Sequence, residues 1–171
     1  MTPRPESSWY AVHTRSRHER KVCGELARQS FEAYLPEYRA LSRRRDRRKQ
    51  ILRPLFPGYL FVRTPLTADK RMAIIQTKSV VRIIGTGCKP VPIPEHQVES
   101  VRILLSTGAD AAPTDALARG RPVLVTEGPL AGVVGVVEES GKRKIIVSVE
   151  MVGRAVSATL DTHAVVPYLD N

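Results

Sequence analysis

Apolar and polar positions change period repeatedly along the chain, and each change marks an element. Trp9-Tyr10-Ala11-Val12-His13-Thr14 reads as a strand, and Ser16 with Glu19 three residues on has the spacing of a capping box. That box opens a helix running to about Gln29. At 100° per residue, Glu19, Val22, Cys23, Leu26 and Ala27 fall on one half of it, while Arg17, Arg20, Lys21 and Arg28 fall on the other. The helix therefore has a mostly apolar inner face and a wholly basic outer one, where a merely solvated face would mix signs. Phe31 to Pro36 begins a second strand that runs towards Ser42-Arg43-Arg44-Arg45-Asp46-Arg47-Arg48-Lys49-Gln50 and returns through Ile51 to Leu55. This is a long hairpin with a basic tip.

Leu55-Phe56-Pro57-Gly58-Tyr59-Leu60-Phe61-Val62 follows, a Pro-Gly corner leading into an alternating strand. Alternation sends Leu60 and Val62 to one face and Tyr59 and Phe61 to the other. If helices cover only the aliphatic face, the two aromatics form an exposed docking patch; if both faces are covered, they are core. Thr67 or Asp69 caps a short helix through Gln76 with Met72 and Ile75 facing inward, and Val80 to Ile84 reads as a buried strand. After a Gly- and Pro-containing loop, Pro94 suits a helix start, and Val98, Val101 and Leu105 supply that helix's inward stripe. Strand, helix, strand, strand, helix, strand, helix is the order of an α+β, split βαβ (ferredoxin-like) domain over residues 1–105.

Residues 106–118 are small, polar and aperiodic, and read as a flexible linker. Beyond it, over 119–171, five β-branched runs (Val123 to Thr126, Val133 to Val137, Ile145 to Val149, Ala155 to Leu160, Val165 to Val166) alternate with Gly128-Pro129, Ser140-Gly141 and Val152-Gly153. That is the pattern of a small five-stranded, SH3-like β-barrel. Five glycines and a proline among these runs weigh against a helical form of the segment.

Charge separates the two parts. Residues 1–104 carry 21 Lys and Arg against 9 Asp and Glu, a net of +12, and the remainder carries 6 against 8, a net of −2. Basic charge confined to one domain, in a chain of pI about 10.1, points to a polyanion and above all to nucleic acid. In the tip, Arg43, Arg44, Arg45, Arg47, Arg48 and Lys49 repel one another until phosphates or counterions neutralise them; a solvated tip that orders only on binding fits the sequence equally. The first six residues lack a secretory pattern, no apolar run reaches spanning length, and Cys23 and Cys88 have no paired spacing. A cytoplasmic protein without membrane association, metal or cofactor is expected. Neither part contains a Gly-rich phosphate loop or a nucleophile signature, so an enzyme is not expected.

Four of these stretches, in this order, resemble the NusG family of transcription elongation factors and its RfaH-like paralogues: Trp9 to Thr14 with the basic helix, Leu55 to Val62, Lys89-Pro90-Val91-Pro92, and a KOW motif from Val123 to Val137. The resemblance implies a monomeric, non-enzymatic factor. Its N-terminal domain would bind the clamp helices of RNA polymerase through His13, Phe56, Tyr59, Phe61 and Ile83, beside the upstream DNA fork. Non-template or upstream DNA would meet Arg15, Lys21, Gln29, Thr77 and Lys78, with Arg17 and the basic tip contributing charge. The KOW domain would bind a small-subunit ribosomal protein or Rho through Met151, Val152 and Arg154, with Val152 standing where the family has Phe. Suppressed pausing and antitermination are the implied outcome. A ribosome- or RNA-associated KOW module that leaves polymerase alone is the other reading.

Overall fold

The computed structural model describes residues 6–42, 49–114, 120–139 and 142–169. They fall into two compact units: Met1–Leu35 with Phe56–Val98 and Val149–Gly153, and Pro36–Leu55 with Glu99–Ser148 and Arg154–Asn171. The architecture is mixed α+β.

In the first unit β1 (Ser8–Thr14), α1 (Glu19–Arg28) and β2 (Glu32–Tyr34) come first. The chain next passes through the hairpin of β3 (Glu37–Leu41) and β4 (Gln50–Pro54), which belongs to the second unit, and re-enters the first as β5 (Tyr59–Thr64), α2 (Ala68–Gln76) and β6 (Val80–Ile83). The sheet order is β2-β5-β1-β6 with antiparallel pairing throughout. Register places Val12 opposite Leu60 and Ile83, and Val62 opposite Ala33, on one face. There Val12, Leu60 and Val62 join Val22 and Leu26 of α1 and Ile74 of α2 in a fully buried cluster. Of the expected inner face of α1, Glu19, Val22 and Leu26 are buried and Cys23 is half-buried, but Ala27 is exposed.

The opposite face is not open. Trp9, Ala11 and Phe61 lie on it and are buried, and aromatic rings fill the layer: Phe61 meets Phe56 edge-on at 5.9 Å, Tyr34 lies 6.4 Å from Phe61, and Trp9 lies 6.4 Å from Tyr34. The small hairpin of β7 (Gly85–Thr86) and β8 (Lys89–Pro90) precedes α3 (Glu95–Ser106). Ile93 donates its N–H to the Trp9 carbonyl, and Glu95 in the first turn of α3 pairs with Arg63 at 3.1 Å. These bonds bring the start of α3 to the aromatic face.

Local expectations shift for identifiable reasons. Ser16 does not cap α1: His18 is the N-cap, without a side-chain cap bond, and the Glu19 carboxylate is bonded to the Gly58 N–H. In α2, Thr67 caps as expected, but Met72 and Ile75 are exposed and Ile74 is buried. The Thr77 hydroxyl, buried after the last turn, donates to the Ala73 carbonyl and sets α2 with Ala73 and Ile74 inward. The strand β6 lies at the sheet edge, so Val81 and Arg82 are exposed where a buried strand was expected. In α3 the buried stripe is Val98, Val101 and Leu104, with Leu105 only half-buried.

In the second unit β3 and β4 pair with each other as a separate ribbon, closed at its base by Leu55 N–H donating to the Pro36 carbonyl at 2.8 Å. Arg43, Arg44, Arg45, Arg47 and Arg48 of its tip lie outside the described residues, as do 115–119 of the linker and the Ser140-Gly141 turn. Each of the five β-branched runs carries a strand: β10 (Val123–Val125), β11 (Val134–Glu138), β12 (Lys144–Val149), β13 (Arg154–Thr159) and β14 (Val165–Pro167). A sixth comes from the expected linker. There β9 (Ala112–Thr114) pairs with β13, giving the order β14-β10-β11-β12-β13-β9. Gly135 has no room for a side chain, since a Cβ would sit 2.6 Å from the Ile146 carbonyl oxygen across the β11-β12 ladder. Near the middle of α3, the buried Ser100 hydroxyl accepts the Val134 N–H at 2.8 Å.

Candidate docking and nucleic-acid surface

The Pro57-Gly58 corner is held from both sides. Gly58 adopts φ +85°, a conformation that L side chains rarely adopt, donates its N–H to buried Glu19 Oε1 at 2.8 Å, and accepts the Thr14 N–H at 2.8 Å. A carboxylate from the start of α1 thereby anchors the turn between β4 and β5. The next residue, Tyr59, stacks on its cross-strand partner His13 with centroids 5.1 Å apart and planes inclined by 24°. Both rings are half-buried, and exposed Arg82 of β6 is the other cross-strand neighbour of His13.

The five residues expected to meet polymerase therefore separate. His13 and Tyr59 form the accessible stack. Phe56 and Phe61 pack edge-on against each other and are 1% and 0% exposed, so they present no surface. Ile83 packs on the helix face, against the buried cluster, because its register partner is Val12. Alternation correctly assigned Tyr59 and Phe61 to one face, but it could not reveal that a second layer covers Phe61.

The nucleic-acid candidates gather better. Arg15 donates its N–H to the Ser79 carbonyl at 2.9 Å, His18 Nδ1 lies 2.6 Å from Ser79 Oγ, and the Gln29 amide donates to Thr77 Oγ1 at 3.1 Å. Segment 77–79 is thus bonded at Ser79 to the residues that precede α1 and at Thr77 to the residue that follows it. Arg15, Arg17, Arg20, Lys21, Arg28, Gln29 and Lys78 are exposed, whereas Thr77 is buried and serves as a bonded support. Lys49 is exposed next to β4. Val152 is only 8% exposed in the 3-10 turn Glu150–Val152, Gly153 after it is left-handed, Arg154 is exposed, and the Met151 side chain lies outside the described set. Sequence patterning did not single out Arg82, Ser79 or the Glu19 anchor. Arg82 alone left a signal, as a cation interrupting an apolar strand.

The family described as transcription termination factor nusG matches residues 7–102. The chain belongs to the NusG family. The NusG transcription termination/antitermination protein of Bacillus subtilis is 30% identical over 171 residues, covering 91% of this chain and 96% of its own. That of Deinococcus radiodurans is 31% identical, covering 90% and 95%. A solved structure described as domain interaction in Thermotoga maritima NusG superposes with a TM-score of 0.54 at 19% identity, over 94% of this chain and 96% of that one, and shares the fold. The NusG relatives are named as transcription proteins and not as enzymes. Among the described residues no helix is long and apolar enough to cross a membrane.

Proposed function

We propose that this NusG-family chain is a transcription elongation factor that sits on the clamp helices of RNA polymerase through the His13-Tyr59 stack and steadies the upstream DNA fork with its basic flank. The observation that carries the reading is the juxtaposition itself: two accessible stacked rings, rigidly based on Gly58 and Glu19, beside exposed cations. Aromatic rings at the centre of an interface and cations at its rim match a protein contact flanked by phosphates. Arg82 belongs to the patch in place of Ile83, and the buried Phe56 and Phe61 lie outside it. Bridging the clamp and the fork shifts the polymerase population towards its active state, which suppresses pausing and favours antitermination without chemistry by the factor.

In this reading the polymerase-binding domain spans residues 1–105. Residues 119–171 form the SH3-like KOW barrel, which recruits a small-subunit ribosomal protein or Rho. With Val152 buried, Glu150 of that turn and Arg154 just after it are exposed. Single-round transcription on templates with known pause sites, with and without the protein, tests the proposal. Shorter pauses are expected, together with binding to core polymerase that the double substitution His13→Ala and Tyr59→Ala abolishes. A protein that binds ribosomal components but not core polymerase would overturn it.

A further inference from the structure

The strand β13, Arg-Ala-Val-Ser-Ala-Thr, has small, uncharged residues at every position after Arg154. Such a strand at a sheet edge offers a row of backbone donors and acceptors to any extended chain, with no inward charge to discourage pairing. In this protein β13 is not the last strand, because β9 lies outside it with Ala112, Pro113 and Thr114 opposite Ser157, Val156 and Ala155. Pro113 has no N–H, which suits β9 to ending a sheet. The ladder is three residues long and is reinforced at one end by a side chain: Asp110 accepts the Thr159 N–H at 2.8 Å on one carboxylate oxygen and the Thr159 hydroxyl at 2.7 Å on the other. Asp110 is exposed, and Asp110, Thr159 and Leu160 line a cleft of about 550 Å³ with Pro129 and Leu130.

We propose that residues 110–114 are a releasable latch that occupies, in cis, a strand-addition surface on β13 for an extended polypeptide. A short ladder held by an exposed carboxylate opens more readily than the buried strands behind it. Only five residues separate Ser106, the end of α3, from the first residue of β9, so the latch meets its edge at an effective concentration on the order of millimolar. A partner chain must compete with that tether, and any event that pulls on the end of α3 or breaks the Asp110 bonds exposes the edge.

The test uses the full-length protein labelled with ¹⁵N. In Asp110→Ala the Thr159 amide should exchange with solvent about tenfold faster or more, while Val147 of β12 keeps its wild-type rate. Thr159→Val, which removes the hydroxyl but keeps the N–H, should give a smaller acceleration. A synthetic peptide of residues 108–114 should then shift the β13 amides of Asp110→Ala saturably, and those of the wild type far less. An unchanged Thr159 rate, or an equal acceleration at Val147, would overturn the latch. Absence of peptide shifts in the open variant at millimolar concentration would overturn the addition surface.

Discussion

Tyr59 and Phe61 leave β5 on the same face and meet different surroundings, which separates their roles. Phe61→Ala empties a fully buried site bordered by Phe56 and Tyr34 and is expected to cost about 3–5 kcal/mol in urea unfolding. Tyr59→Ala unstacks a half-buried ring; it should leave the unfolding midpoint nearly in place while weakening polymerase binding by about 2 kcal/mol or more in titrations. Val152 carries a similar lesson. The family's Phe at this position suggests an exposed partner contact, yet the side chain is 8% exposed. Val152→Phe is therefore expected to overpack its surroundings and lower stability by about 1–3 kcal/mol, read as a drop in Tm. Asp110 supplies a pH dependence. The Thr159 backbone N–H, then its hydroxyl, and more weakly Lys142, hold the carboxyl below its ordinary value of 3.8, against a small opposing effect of burial. Asp161 lines the same cleft. A depressed folded pKa means that the contribution is present above pH 3.8 and is lost as pH falls through the folded value. The Thr159 amide chemical shift should follow that titration and stay flat over the same range in Asp110→Ala.

Among the elements, α1 departs from its sequence signal in the most instructive way. Ser16 and Glu19 have capping-box spacing, but the helix begins at Glu19 with His18 as its N-cap, and Glu19 Oε1 accepts the N–H of Gly58, 39 residues away. Removing that acceptor strands a buried donor at the corner that carries Tyr59. Glu19→Ala should thus destabilise the protein by about 1–3 kcal/mol and broaden the ring-current shifts of His13 and Tyr59 in NMR spectra, and Glu19→Gln, which keeps an acceptor oxygen, should recover most of both. The helix α2 shows the same limit. A 3.6-residue period locates candidate faces, but the buried side of α2 runs through Ala73, Ile74 and the following Thr77 and not through Met72 and Ile75, and Thr77 there bonds Ala73 and Gln29. Edge and centre were likewise invisible for β6, since strand order depends on pairings between distant segments.

At the scale of the whole molecule the strongest signal is the charge division, +12 over residues 1–104 against −2 beyond. Neutralising Arg43, Arg44, Arg45, Arg47, Arg48 and Lys49 together is expected to reduce the slope of log affinity against log salt by roughly 0.7–0.9 for each phosphate left without its cation, measured by fluorescence titration of labelled DNA, with little change in sequence preference. That charge, the strand and helix periods, the faces of α1 and β5 and the four family stretches were legible in the linear chain because each is a local or compositional property. So were the five C-terminal strands, whose β-branched runs and glycine turns act over a few residues. Long-range packing decided the rest. It covered Phe56 and Phe61, moved Ile83 to the helix face, aimed Glu19 at Gly58, and folded three residues of a polar, aperiodic stretch onto the edge of β13. Burial and hydrogen-bond pairing depend on which distant segments arrive at a residue, and no local period records that arrival.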